Sequence, residues 1–199
     1  MIDAPNTDVS FGQYENNDTA FLWYESTQTI NEQFVSLLVS DLAAGEQTRT
    51  SPGPSGTLGA GTYSSYMLHM EADVSTGGNQ EYFGSITFSQ EIVGLIYNRF
   101  ENCASHDVFG APGTTYPGAG YPSPGVTCDE KQNFDFGSGV RNFIALSADR
   151  KTLEFNQFTP HDLDQIRVLT AVPVPAAVWL FGSGLGLLGW MRRRGGAKA

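Results

Sequence analysis

The chain has 199 residues and a formal net charge of −10, with 21 acidic and 11 basic residues. All 21 acidic residues and 7 of the 11 basic residues precede position 172, so this body carries 7 − 21 = −14. An acidic body argues against nucleic-acid binding, which needs a basic face for the phosphates. The 13 Phe and 8 Tyr residues make the chain too apolar to be disordered, and the body of about 170 residues suits one domain with a hydrophobic core.

The first segment, residues 1–18, is polar and predicts a flexible N-terminal arm. It has no basic residue and no apolar stretch, so it is not a signal peptide. Because the C-terminal anchor described below places its arginines inside only if the body is exported, we expect a leader to be missing from this sequence. Short aromatic and apolar runs at 21–24 and 34–39 predict strands. Residues 45–61 contain five glycines and two prolines, which predict a mobile loop.

Strand patterns continue at 62–70, 82–88 and 92–98. The first of these contains His69, which we expect in the interior and not as a metal ligand. Residues 89–91 separate the other two and predict a hairpin turn. Residues 100–139 interrupt the pattern, since 111–125 contain four glycines and four prolines, which predict a long loop. Strand patterns return at 140–148, 152–158 and 165–170, with a turn at 149–151.

This sequence of elements predicts an all-β protein, because at least seven short strands occur without a convincing amphipathic helix outside the tail. We expect a sandwich or jelly-roll-like ectodomain over residues 19–171. A single C-terminal transmembrane helix is expected within residues 172–199. The pattern does not give the order of the strands.

Two cysteines, Cys103 and Cys128, bracket the Gly- and Pro-rich excursion. In an exported chain two cysteines favour a disulfide, which here closes the excursion. Two separate buried thiols are the alternative. Two thiols are too few for a structural zinc site, and neither His106 nor His161 has the spacing to complete one.

Side chains able to do chemistry are present, but no catalytic motif joins them. His106-Asp107 and His161-Asp162 each pair an imidazole with a carboxylate, yet there is no Gly-x-Ser-x-Gly nucleophile motif. We expect both pairs to be solvated loop residues, and we assign no catalytic, cofactor-binding or metal-binding residue. Acidic residues that offer oxygen ligands for calcium, although no EF-hand loop is present, are Glu71, Asp73, Asp129, Glu130 and Asp135.

The C-terminal tail begins with Val172, Pro173, Val174, Pro175 and Ala176 and is then apolar up to position 191. Residues 172–191 contain no charge, and about 20 such residues are needed to cross a bilayer as a helix. The core of this segment, 176–191, spans only about 24 Å as a helix, so it is a short span.

Three arginines, Arg192, Arg193 and Arg194, follow the apolar segment directly. They favour a cytoplasmic position for this end of the helix, and Trp179 and Trp190 suit the two headgroup levels. The tail thus has three parts in order: a motif with two prolines, an apolar helix and a basic stop. This order indicates a sorting and anchoring tail.

This tail resembles the PEP-CTERM sorting signal in its Val-Pro-x-Pro-Ala variant, with Val174 where the variant most often has Leu. The resemblance implies a protein exported by an exopolysaccharide-producing bacterium and processed by an exosortase at or near residues 172–176. Residues 84–88, 92–96, 146–149 and 164–170 resemble, more loosely, ectodomains that precede such tails. This second resemblance implies no activity.

Together these features predict a non-enzymatic protein of the cell envelope or extracellular matrix. The resemblance implies that it is anchored in the cytoplasmic membrane before processing and is then at the cell surface or extracellular. Its implied partners are the exosortase-type enzyme, the membrane and, as an option, extracellular polysaccharide. A jelly-roll enzyme is one alternative. The other is a carbohydrate-binding module, for which the candidate aromatic side chains are Tyr63, Tyr66, Tyr116 and Tyr121.

Overall fold

The computed structural model describes residues 1–43, 45, 47–73, 75, 80–118, 127–128, 134, 136, 142–159 and 163–173. These residues contain eleven strands and one α-helix. The strands are β1 (Phe21–Ile30), β2 (Gln33–Val35), β3 (Leu37–Leu38), β4 (Gln47–Arg49), β5 (Gly56–Leu58), β6 (Gly61–Glu71), β7 (Gln80–Thr87), β8 (Ile92–Ile96), β9 (Phe143–Leu146), β10 (Thr152–Thr159) and β11 (Leu163–Ala171). The helix α1 is Arg99–Phe109, and a short 3₁₀ turn spans Val39–Asp41.

The strands form three antiparallel sheets. The largest has five strands in the order β1-β6-β11-β8-β3, the second has four in the order β4-β9-β10-β7, and the third pairs β2 with β5. The prediction of an all-β protein is confirmed at this level. Both larger sheets contribute to one hydrophobic cluster, with Leu68, Met70, Ile166 and Val168 from the first and Tyr82, Ile144, Leu153 and Phe155 from the second.

The five-stranded sheet is covered on both faces at its centre. Eight of the nine residues of β11 are buried, which a strand with one solvated face does not show. Ile166 and Val168 pack in the cluster shared with the second sheet, whereas Arg167 hydrogen-bonds to α1 residues on the opposite face. Successive side chains of a strand point to opposite faces, so one face of β11 meets the core and the other meets the helix.

The helix α1 corrects the expectation that no amphipathic helix lies outside the tail. Asn98 is its N-cap, and its side-chain oxygen accepts a hydrogen bond from Phe100 N at 3.0 Å. The buried positions of α1 include Asn102, Ser105, His106 and Phe109, the spacing of one helical face. Three of these four side chains are polar, so hydrophobicity does not reveal the period.

The predicted hairpin at 89–91 is wrong. β7 belongs to the four-stranded sheet and β8 to the five-stranded sheet, so these residues connect two sheets. The connection is held by the turn between β9 and β10, since Phe88 N donates to Lys151 O and Ile92 N to Arg150 O. The predicted turn at 149–151 does join two paired strands, β9 and β10.

Two other segments have more structure than their composition indicates. Residues 45–61, predicted as a loop, contain the short strands β4 and β5. Residues 1–18, predicted as an arm, lie against the body, where Ile2 N donates to Leu22 O and Asn16 N to Glu71 O. Val9 is fully buried in a cluster with Trp23. Backbone hydrogen bonds, which do not depend on side-chain hydrophobicity, account for much of this order.

Candidate functional site

The strongest concentration of buried polar groups surrounds Arg167 on β11. Its guanidinium forms a two-point ion pair with Glu25 on β1, in which Nε lies 2.7 Å from Oε2 and Nη2 lies 2.8 Å from Oε1. Both side chains are fully buried. A buried ion needs a partner and hydrogen bonds for all its donors, because water is absent.

The helix supplies the remaining acceptors for Arg167. Nη1 donates to the backbone oxygen and the side-chain oxygen of Asn102, each at 3.2 Å, and to Ser105 Oγ. Nη2 also donates to Nδ1 of His106 at 2.9 Å. The five N–H groups of the guanidinium therefore all have acceptors. We call Glu25, Asn102, Ser105, His106 and Arg167 the Arg167 cluster; it fastens α1 to β1 and β11.

His106 is held in one tautomer by this arrangement. Because Nδ1 accepts a hydrogen bond from Arg167, its lone pair is occupied and the ring proton is on Nε2. The imidazole stacks on the ring of Tyr116, with centroids 4.7 Å apart and planes 18° apart. The pair His106-Asp107, predicted as solvated loop residues, is thus on α1, with the imidazole buried. The pair His161-Asp162 lies outside the described residues.

Tyr116 closes this cluster on the side of β1. Its hydroxyl accepts hydrogen bonds from Trp23 Nε1 and from Ala111 N, each at 3.2 Å. Burial, and next the negative charge of Glu25, raise the pKa of the Tyr116 hydroxyl. The phenol therefore stays neutral at all ordinary pH values.

The side chains of the Arg167 cluster hydrogen-bond to one another and to neighbouring residues. Ser105 Oγ donates to Asn102 O at 2.7 Å, and Ser65 Oγ donates to Glu25 Oε2 at 2.6 Å. A serine nucleophile donates a hydrogen bond from its hydroxyl to the histidine that acts as its base. Neither of these two hydroxyls donates to His106. In a catalytic triad a carboxylate accepts a hydrogen bond from Nδ1 of the histidine. Here Arg167 instead donates to Nδ1 of His106.

His69 forms a second buried site, as predicted for an interior histidine. Its Nδ1 accepts from Gln165 Nε2 at 3.0 Å, and its Nε2 lies 3.0 Å from Tyr14 O and 3.4 Å from Glu71 Oε2. The ring thus joins β6, β11 and the N-terminal segment. Sequence reasoning placed His69 inside but did not identify Gln165 as its partner.

The structure pairs Cys103 with Cys128, as predicted. Their Cα atoms are 6.0 Å apart, in the usual range for a disulfide. Cys103 is a buried residue of α1, so the bridge attaches position 128 to the helix.

Most of the predicted sorting tail lies outside the described residues. Val172 and Pro173 are described, and the remaining members of the motif, of the apolar segment and of the arginine stop (Val174, Pro175, Ala176, Arg192, Arg193 and Arg194) are not. Within the described residues no helix is long and apolar enough to cross a membrane. The transmembrane helix therefore stays a prediction.

The candidate calcium ligands do not come together in the described part of the chain. Asp129, Glu130 and Asp135 lie outside it. Glu71 is buried and accepts a hydrogen bond from Gly12 N, whereas the Asp73 carboxylate accepts one from Ser75 N at 2.8 Å. A hydrogen bond with the Ser75 side chain, and next the bond from Ser75 N, lowers the pKa of Asp73. The described residues contain no group of three or more His, Cys, Asp or Glu side chains arranged to hold a metal.

Among the described residues, the predicted sugar-binding tyrosines Tyr63, Tyr66 and Tyr116 are not assembled into one row. Tyr116 is buried beside His106. Tyr66 packs on Phe88 in the main core, and Tyr63 packs against the separate cluster around Phe109. Tyr121 lies outside the described residues.

Comparison with known proteins gives no match: no family model, no curated protein and no solved structure is similar to this chain. The function must therefore be argued from the sequence and from the geometry above.

Proposed function

We propose that this chain is a non-enzymatic exported protein of the cell envelope, with a jelly-roll-like sandwich as its ectodomain. In this proposal a C-terminal helix anchors it in the cytoplasmic membrane until an exosortase-type peptidase processes residues 172–176. The mature ectodomain then belongs to the cell surface or the extracellular matrix.

The junction between the body and the tail carries this proposal. The last strand, β11, ends at Ala171, and Val172 N donates to Thr62 O at 3.1 Å as the last backbone hydrogen bond described. The next residue, Pro173, is exposed. The Val-Pro-x-Pro-Ala motif thus starts where the strand ladder stops. Two prolines in a sequence disfavour helix and lack N–H donors, so the proposal expects the peptidase to meet an extended segment.

Two further observations support it. The Cys103–Cys128 pair suits an oxidising compartment, in which disulfides persist. All five N–H groups of Arg167 have acceptors within the Arg167 cluster, and this supports a structural role for Arg167.

The processing step is tested in the host by mass spectrometry of the mature protein. The chain is expressed behind an export leader in cells with and without the exosortase. We expect a C-terminus within or next to residues 172–176 only where the enzyme is present. The double variant Pro173→Ala/Pro175→Ala should accumulate uncleaved, whereas Pro112→Ala, at an exposed proline of the body, should be processed normally. A mature chain that still ends at position 199 in the enzyme-containing host contradicts the proposal.

The topology is tested on spheroplasts of the exosortase-free cells. Added protease should digest the body and leave the arginines 192–194 protected, since basic residues favour the cytoplasmic side. Digestion of the arginine end with protection of the body is the opposite orientation, and it rules out the proposed topology.

A further inference from the structure

A cleft lies where the N-terminus of α1 meets the loop that precedes β5. Its volume is about 350 Å³, within the range of small-molecule sites. The residues that matter are Gly53 on the loop, Tyr97 and Glu101 around the start of α1, and Phe134 and Phe136. We call this the Glu101 cleft. It is separate from the Arg167 cluster, none of whose members lines it.

Glu101 does not make the capping hydrogen bond that is usual at its position in α1. It lies in the first turn of α1, where a glutamate commonly accepts a hydrogen bond from the N-cap N–H. Here Asn98 N donates instead to Ser36 Oγ at 3.1 Å. Within the described residues, Glu101 Oε2 is buried and has no hydrogen-bond partner. A carboxylate oxygen removed from water without a partner is unfavourable.

Three aromatic rings line the same cleft as this carboxylate, and two of them, Tyr97 and Phe134, are buried. The ring of Phe136 meets those of Tyr97 and Phe134 nearly edge to face, at centroid distances of 5.4 and 5.0 Å. The Tyr97 hydroxyl is fixed, because it accepts from Gly53 N at 2.9 Å and donates to Ser36 O at 3.2 Å. The rings are therefore positioned before any ligand arrives.

From this geometry we propose that the Glu101 cleft binds a small organic ammonium cation, with Glu101 opposite the charge and the partly exposed ring of Phe136 against the alkyl groups. Aromatic rings attract cations through their quadrupole, and a cation supplies the missing partner of the carboxylate. The body's charge of −14 (7 − 21, residues 1–171) raises the local cation concentration.

Arg49 is the cationic side chain that opposes this binding. Burial raises the pKa of the Tyr97 hydroxyl, and the charge of Arg49 acts on the same group in the opposite direction. Arg49 Nη2 donates to Pro52 O at 3.0 Å, and no ion pair joins Arg49 to Glu101 among the described residues. Arg49 Nε is also buried without a hydrogen-bond partner among the described residues, so its charge competes with a bound cation.

The test is titration of the purified full chain with choline chloride, followed by calorimetry and by NMR of the aromatic ring protons. The matched ligand is 3,3-dimethyl-1-butanol, which has the shape of choline without the charge. We expect saturable choline binding that weakens as salt is added, and binding of the alcohol weaker by about tenfold or more.

Protein variants locate the site. Glu101→Gln removes the charge at constant size and should weaken choline binding by about tenfold or more, whereas Glu32→Gln, at an exposed glutamate, should not change it. Phe136→Leu should also weaken it, and Arg49→Gln should strengthen it. Circular dichroism and the unfolding midpoint confirm that each variant is folded.

Several outcomes overturn the proposal. They are no saturation by choline, equal binding of choline and the uncharged alcohol, or equal affinity in Glu101→Gln and the unaltered chain. Binding of glucose in place of choline, lost in Phe136→Leu, assigns the cleft to carbohydrate and also overturns it. None of these outcomes bears on processing of the tail, so the two proposals are tested separately.

Discussion

Arg167 on β11 and Glu25 on β1 are 142 positions apart in the chain and form a fully buried ion pair with two hydrogen bonds, of 2.7 and 2.8 Å. The strand between them in the sheet is β6. The ion pair therefore crosses over β6, and Arg167 also hydrogen-bonds to residues of α1. Loss of one partner leaves the other charge buried without compensation.

The first prediction concerns this pair. Glu25→Gln should lower the free energy of unfolding by about 3 to 5 kcal/mol, because Arg167 stays buried without its counter-ion. Urea unfolding measures it. The exposed Glu154→Gln is the control and should stay within about 0.5 kcal/mol of the unaltered chain. The double variant Glu25→Leu/Arg167→Met should lose less than Glu25→Gln. A loss below about 1 kcal/mol in Glu25→Gln means that the pair does not stabilise the fold.

The second prediction concerns alkaline pH. The folded protein raises the pKa of Tyr116, mainly by burial, above the ordinary value of about 10. Below that value the phenol is neutral in both states, and its contribution to stability is complete. Above it the unfolded chain loses the proton first, so the free energy of unfolding falls as pH rises. Each such tyrosine contributes a slope of up to about 1.4 kcal/mol per pH unit.

Denaturant unfolding between pH 8 and 11 measures this slope. Tyr116→Phe should make it shallower but not remove it, because burial also raises the pKa of Tyr82 and of Tyr97. Tyr24→Phe, at a tyrosine that is 43% exposed, should leave the slope unchanged. An identical slope in Tyr116→Phe and the unaltered chain would show that Tyr116 titrates normally.

The third prediction concerns the Cys103–Cys128 bridge, whose cysteines are 25 positions apart. In the chain-entropy model such a loop stabilises by about 3 kcal/mol. Reduction, or the double variant Cys103→Ala/Cys128→Ala, should lower the free energy of unfolding by this amount. Reductant should have no further effect on the variant. Thiol titration of the unfolded, unreduced protein from an exported preparation should find no free thiol, and two free thiols would refute the bridge.

The fourth prediction concerns the end of the body. A chain that stops after Pro173 should unfold within about 0.5 kcal/mol of the full-length protein, because β11 ends at Ala171. A chain that stops after Ile166 loses half of β11, whose hydrogen bonds to β6 and β8 hold the centre of the sheet, and should not fold. If removal of the tail alone costs more than about 1 kcal/mol, the tail is part of the folded body.

The sequence by itself was enough to predict the β-rich class, the strands around 62–70 and 152–158, the turn at 149–151 and the pairing of the two cysteines. The strands and the turn are local features of the sequence, and the cysteine pairing has only one possible partner for each cysteine. Alternating hydrophobicity identifies a strand, and a turn of two or three residues between adjacent strands leaves little choice of partner. The sorting tail is local in the same sense, and as a prediction it depends on order and spacing within 28 residues.

Only the tertiary structure decided which strands are neighbours, why Arg167 is buried and where α1 lies. Residues 89–91 look like a hairpin turn because hydrophobic patterns do not show to which sheet a strand belongs. The sequence did not predict α1, because its buried face contains the polar residues Asn102, Ser105 and His106. These side chains are stable in the interior only because Arg167 and Glu25, on distant strands, form a polar cluster with them. A buried polar group is stabilised by partners that the fold supplies, so its position cannot be read from its own neighbours in the chain.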